Sequence, residues 1–390
     1  MTPLCPLCGA DGGVCFDRRD RAPILLNRTY ATCAEARAAP TGKLAFTGCV
    51  RCGFVWNAAF DEKVVVYDGH YENDQAHSAT FRTHIDDMAA RVVKLAPPGD
   101  QLHIVEVGAG QGVFLEIASD KAGARLESAV GFDPAYRGTP GGGPAPVRLY
   151  TDMFDKNTAY RLKRLPNVVV SRHTIEHLPR PLEFLGAIYG ALPGLRVKLA
   201  VETPCVQWIF DNWAIQDFFY EHCSLFTGRS LALALSAAGF EPRSVTHVFG
   251  GQYLWAEAEQ KKTKTADWTN ADVPNFAGWS KRKDELLSEW RSFVEDASRK
   301  GPTYVWGAGA KGITFACLLD PEAALLSGLV DINPMKQNTF AAMTGSPIVA
   351  PEAVAGPRPT IIVMNPNYKD EIAKTCAARG LDAQLRVFGA

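Results

Sequence analysis

Residues 103–112 read HIVEVGAGQG, and this stretch decides the fold. An apolar run suited to a buried strand leads directly into closely spaced glycines, which let a backbone turn tightly and approach a ligand. The helical pattern QGVFLEIASDKAG follows at residues 111–123. A loop that runs from a strand into a helix N-terminus exposes free N–H groups. The stretch therefore predicts a strand–loop–helix unit with a ligand site at the loop.

Similar patterns alternate along the rest of the chain. Further strands are predicted by AVGFD (129–133), VRLY (147–150), NVVVS (167–171) and VKLAVE (197–202), and helices by PLEFLGAIYGAL (181–192) and RSLALALSAAGF (229–240). This alternation of predicted strands and helices indicates a parallel sheet with helices on both faces. The stretch SVTHVFGGQYLWAEAE (244–259) predicts an antiparallel hairpin at one edge. From TYVWGAG (303–309) to QLRVF (384–388), a second block repeats the same α/β plan.

With 390 residues, the chain is too long for one ordinary domain. We expect an α/β protein of three domains, separated after about residue 260 by a polar linker within 259–275. The predicted domains are a small cysteine-rich domain over 1–65, a Rossmann-like domain over 66–260 and a second Rossmann-like domain over 275–390.

Composition limits the class of protein. A content of 47% hydrophobic and 21% charged residues is typical of soluble globular proteins. The net charge of −1 gives no electrostatic case for a nucleic acid or an anionic membrane as partner. The first residues lack a signal-peptide pattern, and no apolar run approaches the roughly 18 residues of a membrane span. We expect a cytoplasmic protein, and its oligomeric state is left open.

Two cysteine pairs lie in the predicted first domain. Cys5 and Cys8 form one C-x-x-C knuckle, and Cys49 and Cys52 form the second. Thiolates at this spacing can face one tetrahedral zinc ion and leave it no open position. The alternative is two unrelated pairs of buried thiols. The sequence therefore predicts a structural zinc site, and Cys15 is not expected to be a ligand.

The first glycine loop carries features that distinguish it from a dinucleotide site. An acidic residue lies two positions before the first glycine, as in S-adenosylmethionine (SAM) enzymes. The stretch GFDP (131–134) places a carboxylate after the next strand, where it can accept both ribose hydroxyls. Asp and Met after the third strand suit an adenine. The alternatives are a site for NAD and a relic site. The predicted SAM-binding residues are Glu106, Gly108, Gly110, Asp133, Asp152, Met153 and His173.

The second glycine loop, VWGAGAKG at 305–312, matches the spacing of a dinucleotide site. Two lysines near its glycines suit a diphosphate. Three interpretations stay open: a substrate nucleotide, a purely structural module and bound NAD(P). The predicted ligand-binding residues are Gly307, Gly309, Lys311, Asp331 and Lys336.

The order of these motifs resembles the sugar C-methyltransferases of antibiotic deoxysugar pathways. The resemblance rests on the cysteine knuckles, the first loop, YDGHY (67–71), TIEHLP (174–179), YEH (220–222), GAGAKG (307–312) and DINPMKQ (331–337). It spans nearly the whole chain. It implies that the middle domain binds SAM and that a nucleotide-linked keto sugar lies between the middle and C-terminal domains. It also implies that the second glycine loop holds substrate without a redox cofactor.

Methyl transfer to carbon needs a base that removes a proton beside a carbonyl and a group that stabilises the enolate. His222 is the candidate base, with Glu221 to orient it, and His177 follows the fourth strand at the sheet edge where ligands bind. Each histidine could also be a hydrogen-bonded structural residue. The candidate catalytic residues are His222, Glu221, Tyr220, His177 and Tyr71.

One departure from the family motif leaves the methylated atom open. The motif usually reads Tyr-His-Glu-His, whereas this chain has Phe219-Tyr220-Glu221-His222. The alternatives are an O- or N-methyltransferase acting on another small molecule or on RNA, a protein methyltransferase, and an NAD(P)-binding protein without methyl transfer.

Overall fold

The structure is a computed structural model, and it describes residues 4–67, 70–143, 145–192, 194, 197–268 and 273–388. Two residues of the tyrosine-rich motif, Asp68 and Gly69, lie outside the described residues. So do residues 269–272 of the predicted linker and the outermost residues of the predicted first and last domains. None of the helices in the described part is long and apolar enough to cross a membrane.

The N-terminal part is a small antiparallel sheet. Its elements are β1 (Val14–Pro23), α1 (Cys33–Arg37), β2 (Thr41–Gly48) and β3 (Val55–Asn57). Strand β2 pairs with both β1 and β3, and the second cysteine knuckle lies in the turn between β2 and β3. A fourth strand, residues 224–225, is supplied by the middle of the chain and pairs with β3.

The middle part contains a seven-stranded sheet with the predicted plan. Its strands lie in the order β10-β11-β8-β7-β4-β5-β6, and β4 to β8 are mutually parallel, whereas β10 and β11 form the antiparallel hairpin. The elements are α2 (Ala79–Leu95), β4 (Leu102–Val107), α3 (Val113–Ala122), β5 (Leu126–Phe132), β6 (Val147–Tyr150), β7 (Val168–Arg172), α4 (Pro181–Ala191), β8 (Lys198–Pro204), α5 (Val206–Asp211), β9 (Ser224–Leu225), α6 (Gly228–Ala238), β10 (Phe240–Val248) and β11 (Tyr253–Gln260).

The C-terminal part has a six-stranded, mostly parallel sheet in the order β14-β15-β13-β12-β16-β17. The edge strand β14 alone runs antiparallel to its neighbour. The elements are α7 (Trp279–Lys300), β12 (Thr303–Trp306), α8 (Ala310–Leu319), β13 (Gly328–Val330), β14 (Thr339–Phe340), β15 (Pro347–Val349), β16 (Thr360–Val363), α9 (Lys369–Ala378) and β17 (Gln384–Val387). The mixed α/β fold class, with its Rossmann-like sheets, is confirmed.

One hydrophobic core joins the three parts. It contains Phe46 from the N-terminal sheet, Phe218 from the middle of the chain and Phe315 from the C-terminal part, all fully buried. The division at residues 65, 260 and 275 stays a prediction, and the structure adds that β9 of the middle segment completes the N-terminal sheet. Buried apolar surface of this kind favours a fixed arrangement of the parts over independent movement.

A buried ionic group supports the segment that leads to the candidate catalytic residues. Asp17 on β1 accepts from Lys283 of α7 and from Arg19, both at 2.8 Å. Arg19 also donates to the backbone carbonyls of Phe218 at 3.0 Å and Ile215 at 2.9 Å. Because a buried charge needs a full set of partners, this group fixes the chain just before Phe219.

Candidate active site

A cavity of about 290 Å³ lies where the three parts meet. It adjoins the carboxyl ends of β7 and β8 on one side and those of β12, β13 and β16 on the other. In parallel α/β sheets these ends are where ligands bind. The predicted site residues that line it are Tyr71, His173, His177, Glu221, His222, Gly307, Gly309, Lys311, Asp331 and Lys336.

Two histidines form the centre of the cavity wall. The rings of His177 and His222 lie edge to face with their centroids 4.9 Å apart. On its other side, the His222 ring lies 4.1 Å from the ring of Phe219. Burial lowers the pKa of His222 well below its ordinary value, and the neighbouring His177 adds to the effect. His222 is therefore a neutral imidazole near pH 7, which is the form that accepts a proton.

Glu221 is held by the N-terminal part of the chain. The hydroxyl of Tyr71 donates to its Oε1 at 2.7 Å, and the backbone N–H of Leu26 donates to its Oε2 at 2.8 Å. Burial raises the pKa of this carboxyl, although His177 and both hydrogen bonds oppose the rise. Glu221 thus fixes the tyrosine against the cavity.

Beneath the histidines lies a buried polar network centred on Glu202. Its Oε1 lies 2.5 Å from Nε2 of His84, and its Oε2 accepts from Nε of Arg172 at 2.6 Å. Although burial alone would raise it, the pKa of Glu202 lies below its ordinary value because Arg172, His173 and His84 surround it. His173 has a left-handed backbone (φ 49°), and its Nδ1 lies 3.3 Å from Glu176. The network fixes the turn that carries His173 and His177.

The first glycine loop forms a close-fitting cradle at the end of β4. Gly108 and Gly110 both have left-handed φ values (80° and 55°), and a Cβ at Gly108 would lie 1.9 Å from the Thr174 hydroxyl. Asp133 accepts from the N–H groups of Gly110 and Ala135, each at 2.7 Å. The carboxylate after β5 is thereby brought beside the loop, as the sequence predicted.

Glu106, near the end of β4 and just before this cradle, has a buried carboxyl group with one oxygen that is unpaired within the described part of the chain. Its side chain is 2% exposed, and Oε2 has no hydrogen-bond partner among the described residues. Burial raises its pKa to about 8, although Arg172 opposes the rise. An orphaned buried acceptor beside a glycine cradle fits the ammonium group of the methionine part of SAM.

Three other predicted site residues line neither the cavity nor the first glycine loop. Asp152 is paired with Arg161 at 3.1 Å, and Met153 is 63% exposed, so both lie on the outer side of the loop after β6. The hydroxyl of Tyr220 accepts from the backbone N–H of Asp61 at 2.9 Å and lies outside the lining of the cavity. The catalytic role of Tyr220 therefore stays a prediction.

The second glycine loop closes the far end of the cavity. Gly307 has φ 108°, and a Cβ on Gly312 would lie 1.8 Å from the Gly307 carbonyl oxygen. Asp331 accepts from the N–H of Ala308 at 2.9 Å. Lys336 is 5% exposed, and its ammonium contacts Oδ1 of Asn27 at 3.0 Å. Burial lowers the pKa of Lys336, although Asp331 opposes this.

Lys311 of this loop is paired with Asp217 rather than free. Both carboxylate oxygens of Asp217 contact its ammonium. Asp217 belongs to a short 3₁₀ turn just before Phe219, so the ion pair connects the C-terminal part to the segment that carries His222. A diphosphate at Lys311 would therefore compete with Asp217 for the same cation.

The four predicted zinc ligands converge. The Sγ atoms of Cys5 and Cys52 lie 3.8 Å apart, those of Cys8 and Cys49 lie 3.6 Å apart, and all four fall within 4.8 Å of one another. A tetrahedral zinc ion with bonds of about 2.3 Å requires sulfur atoms roughly 3.8 Å apart. The cluster fits zinc, and the metal itself stays a prediction.

A second group could hold a metal ion. Ligand atoms of Glu176, His177 and His222 also lie within 4.8 Å of one another. Part of this set already has protein partners, since Oε2 of Glu176 accepts from the Thr203 hydroxyl at 3.0 Å and Nδ1 of His177 contacts Tyr67 at 3.3 Å. These hydrogen bonds make the group a weaker candidate for a metal site than the cysteine cluster.

Sequence reasoning missed several residues of the site. Asn27 lines the cavity from a loop that carries no motif, and Asp217 and Arg172 act through partners distant in sequence. Of the missed residues, only Glu202 could have been noticed in the sequence, as an acidic residue at the end of the predicted strand VKLAVE.

Two family models match this chain. A methyltransferase domain matches residues 81–245, and a C-methyltransferase C-terminal domain matches residues 256–383. No curated protein matches the chain.

Solved structures resemble about half of the chain. A putative SAM-dependent methyltransferase from Listeria monocytogenes is 14% identical over 46% of this chain and 100% of its own, with a TM-score of 0.35. A SAM-dependent methyltransferase from Aquifex aeolicus is 16% identical over 46% of this chain and 97% of its own, with a TM-score of 0.33. The 1,6-didemethyltoxoflavin-N1-methyltransferase of Burkholderia thailandensis is 13% identical over 55% of this chain and 98% of its own, with a TM-score of 0.33.

Likenesses this remote carry no argument about function, and the assignment rests on the two family models. They cover the part of the chain that holds the glycine cradle and the part that closes the cavity opposite the histidines. The chain is a SAM-dependent methyltransferase, and its two matched domains support a place among the C-methyltransferases.

Proposed function

We propose that the chain transfers the methyl group of SAM to a carbon atom of a nucleotide-linked keto sugar. The observation that carries the proposal is the single cavity that joins the His177–His222 pair to the second glycine loop. A small acceptor alone would not need the second loop, whereas a sugar diphosphate nucleotide extends from one end of such a cavity to the other.

The cofactor would lie at the first glycine loop. Gly110 leaves space for its methionine part, whereas the Thr174 hydroxyl fills the space beside Gly108. Glu106 offers the orphaned acceptor for its ammonium group, and Asp133 can exchange its backbone partners for ribose hydroxyls. Bound there, SAM supplies an electrophilic methyl group. Asp152 and Met153 are proposed at the adenine, where an exposed thioether can cover the ring face.

The nucleotide of the acceptor would lie at the second glycine loop. The end of the cavity near Asp331 is walled by apolar side chains suited to a base, including those of Trp306, Ile332 and Val363. Asp331 suits ribose hydroxyls, and Lys336 with the loop N–H groups suits a diphosphate. Lys311 would join them by leaving Asp217, which would couple acceptor binding to the segment before His222.

The chemistry would start at His222. A neutral imidazole can remove a proton from a carbon beside a carbonyl, and the carbanion formed can then attack the methyl group. His177 lines the same cavity and can donate a hydrogen bond to the enolate oxygen, and the Tyr71 hydroxyl can do so once it releases Glu221, to which it donates in this structure. The zinc ion, held by four cysteines, would stabilise the N-terminal sheet whose loop supplies Leu26 and Asn27.

Methyl transfer to oxygen or nitrogen is the second candidate. Phe219 places an apolar ring, without a hydroxyl, 4.1 Å from His222, so the base has fewer polar groups to cooperate with than a tyrosine would provide. An acceptor that ionises easily would not need them.

The test uses radiolabelled SAM with a panel of uridine and thymidine diphosphate-linked 4-keto-6-deoxy sugars. We expect label in the nucleotide sugar, and we expect His222→Asn to lose about 10²–10⁴-fold in turnover while keeping its affinity for SAM. His247→Asn is the matched control, since His247 is exposed on β10 and lies outside the cavity lining. Unchanged turnover in His222→Asn would contradict its role as the base.

A further inference from the structure

Once His222, the proposed base, has accepted a proton from the acceptor, that proton must leave the active site before the next turnover. His222 lies between the rings of Phe219 and His177, and burial keeps its pKa low. Each methyl transfer would leave it protonated, and the next cycle requires that proton to reach water. Because the proposed acceptor would fill the cavity during the reaction, a separate exit is needed.

The two acidic residues nearest the histidines cannot provide that exit. Glu176 is 0% exposed and Glu221 is 1% exposed, so neither carboxylate reaches solvent. Lys311, whose charge also faces His222, is already paired with Asp217. His173 packs against the ring of Tyr253 with centroids 4.6 Å apart.

A chain of proton-carrying groups does lead outward through His177. A nitrogen of His177 and a nitrogen of His222 lie within 4.8 Å, a gap that one water molecule can bridge. Nδ1 of His177 also lies 3.3 Å from the hydroxyl of Tyr67. Tyr67 is 38% exposed, and its ring is braced edge-on against Tyr71 at a centroid distance of 4.8 Å.

We propose that His177 and Tyr67 form the proton exit of the active site, an inference that rests on the proposed function of His222. The imidazolium of His222 gives its proton through a bridging water to one nitrogen of His177. Nδ1 of His177 then gives a proton to the Tyr67 oxygen, while the Tyr67 hydroxyl gives its own to bulk water. Each N–H or O–H bond that breaks is matched by one that forms, and the net change is one proton released. Tyr67 is thus a relay residue that contacts neither substrate nor cofactor.

The first test needs no methyl transfer, but it is made with S-adenosylhomocysteine and a nucleotide sugar bound, because an empty cavity would let water reach His177 directly. In protein labelled with ¹⁵N-histidine, we expect Tyr67→Phe to slow the exchange of the His177 ring N–H with water by at least about tenfold, the effect of about 1.4 kcal/mol on one transfer step. Tyr160→Phe, at a tyrosine that is 72% exposed, should leave that exchange unchanged. Equal exchange rates in wild type and Tyr67→Phe would overturn the proposal, because water would then reach His177 directly.

The second test separates a relay from a structural role. With the same labelled SAM and keto-sugar panel, Tyr67→Phe should make its first product at the wild-type rate and then turn over slowly, and millimolar imidazole buffer should restore steady turnover. Loss of the first turnover as well, without rescue by buffer, would mean that Tyr67 only supports the fold. No methyl transfer by wild type would contradict the proposed function, and the exchange measurement would still decide the proton exit.

Discussion

Glu106→Gln should change how the stability of the protein without SAM depends on pH. Glu106 is 2% exposed, its Oε2 lacks a partner among the described residues, and burial raises its pKa to about 8 from an ordinary value of 4.5. Between those two pH values the folded protein holds a proton that the unfolded chain has lost. The free energy of unfolding therefore falls as pH rises through this range.

The size of the effect follows from the pKa shift. Wild type should lose about 1.4 kcal/mol of unfolding free energy per pH unit between about pH 5 and pH 8, relative to a variant that cannot ionise there. Glutamine has nearly the shape of the protonated carboxyl, so the two proteins should be similar near pH 5. At pH 8 the variant should be the more stable by several kcal/mol.

Urea unfolding at pH 5, 6.5 and 8, in protein free of SAM, measures this difference. Glu127→Gln, at an exposed position on the neighbouring strand β5, is the matched control and should follow wild type at every pH. Calorimetry adds a functional readout: if the ammonium group of SAM replaces the proton, binding at pH 7 should release a proton in wild type and none in Glu106→Gln. Parallel stability profiles for wild type and Glu106→Gln would refute the assignment of a protonated Glu106.

Two further predictions concern the metal and the cofactor. Purified protein should contain one zinc ion per chain. Cys49→Ser should lose the zinc ion and the order of the N-terminal sheet, whereas Cys15→Ser should retain both. Metal analysis that finds less than about half an equivalent of zinc in wild type would rule the site out. Asp133→Ala should weaken SAM binding by about 10- to 100-fold, because the carboxylate proposed to accept from the two ribose hydroxyls is lost, and Asp120→Ala on the exposed side of α3 should not. Unchanged affinity in Asp133→Ala would place the cofactor elsewhere.

The strands could be predicted from the sequence because each depends on a short, continuous run of apolar residues. Each predicted strand of the middle part, from HIVEV to VKLAVE, falls on an observed strand, since buried parallel strands require continuous apolar runs. The cysteine knuckles were readable for a similar reason, because the spacing within each pair is fixed by metal geometry.

The contacts that assemble the site could not be predicted from the sequence, because they join residues that are far apart in the chain. Nothing in the sequence near Leu26 indicates that its N–H would bind Glu221, nearly two hundred residues later. The pairing of Lys311 with Asp217 likewise follows from how the C-terminal part docks. The hydrogen bond between the Tyr220 hydroxyl and the backbone of Asp61 is another such contact, which the motif around Tyr220 does not indicate.

The proposed function requires that His222 allow a carbon atom to be methylated in the cavity that the second glycine loop closes. The most direct test is NMR of the product formed from SAM with a ¹³C-labelled methyl group and a nucleotide diphosphate-linked 4-keto sugar. We expect a methyl carbon bonded to a ring carbon beside the ketone, and we expect this product to be absent from the reaction of His222→Asn. A label attached through oxygen or nitrogen, formed equally well by His222→Asn, would contradict it.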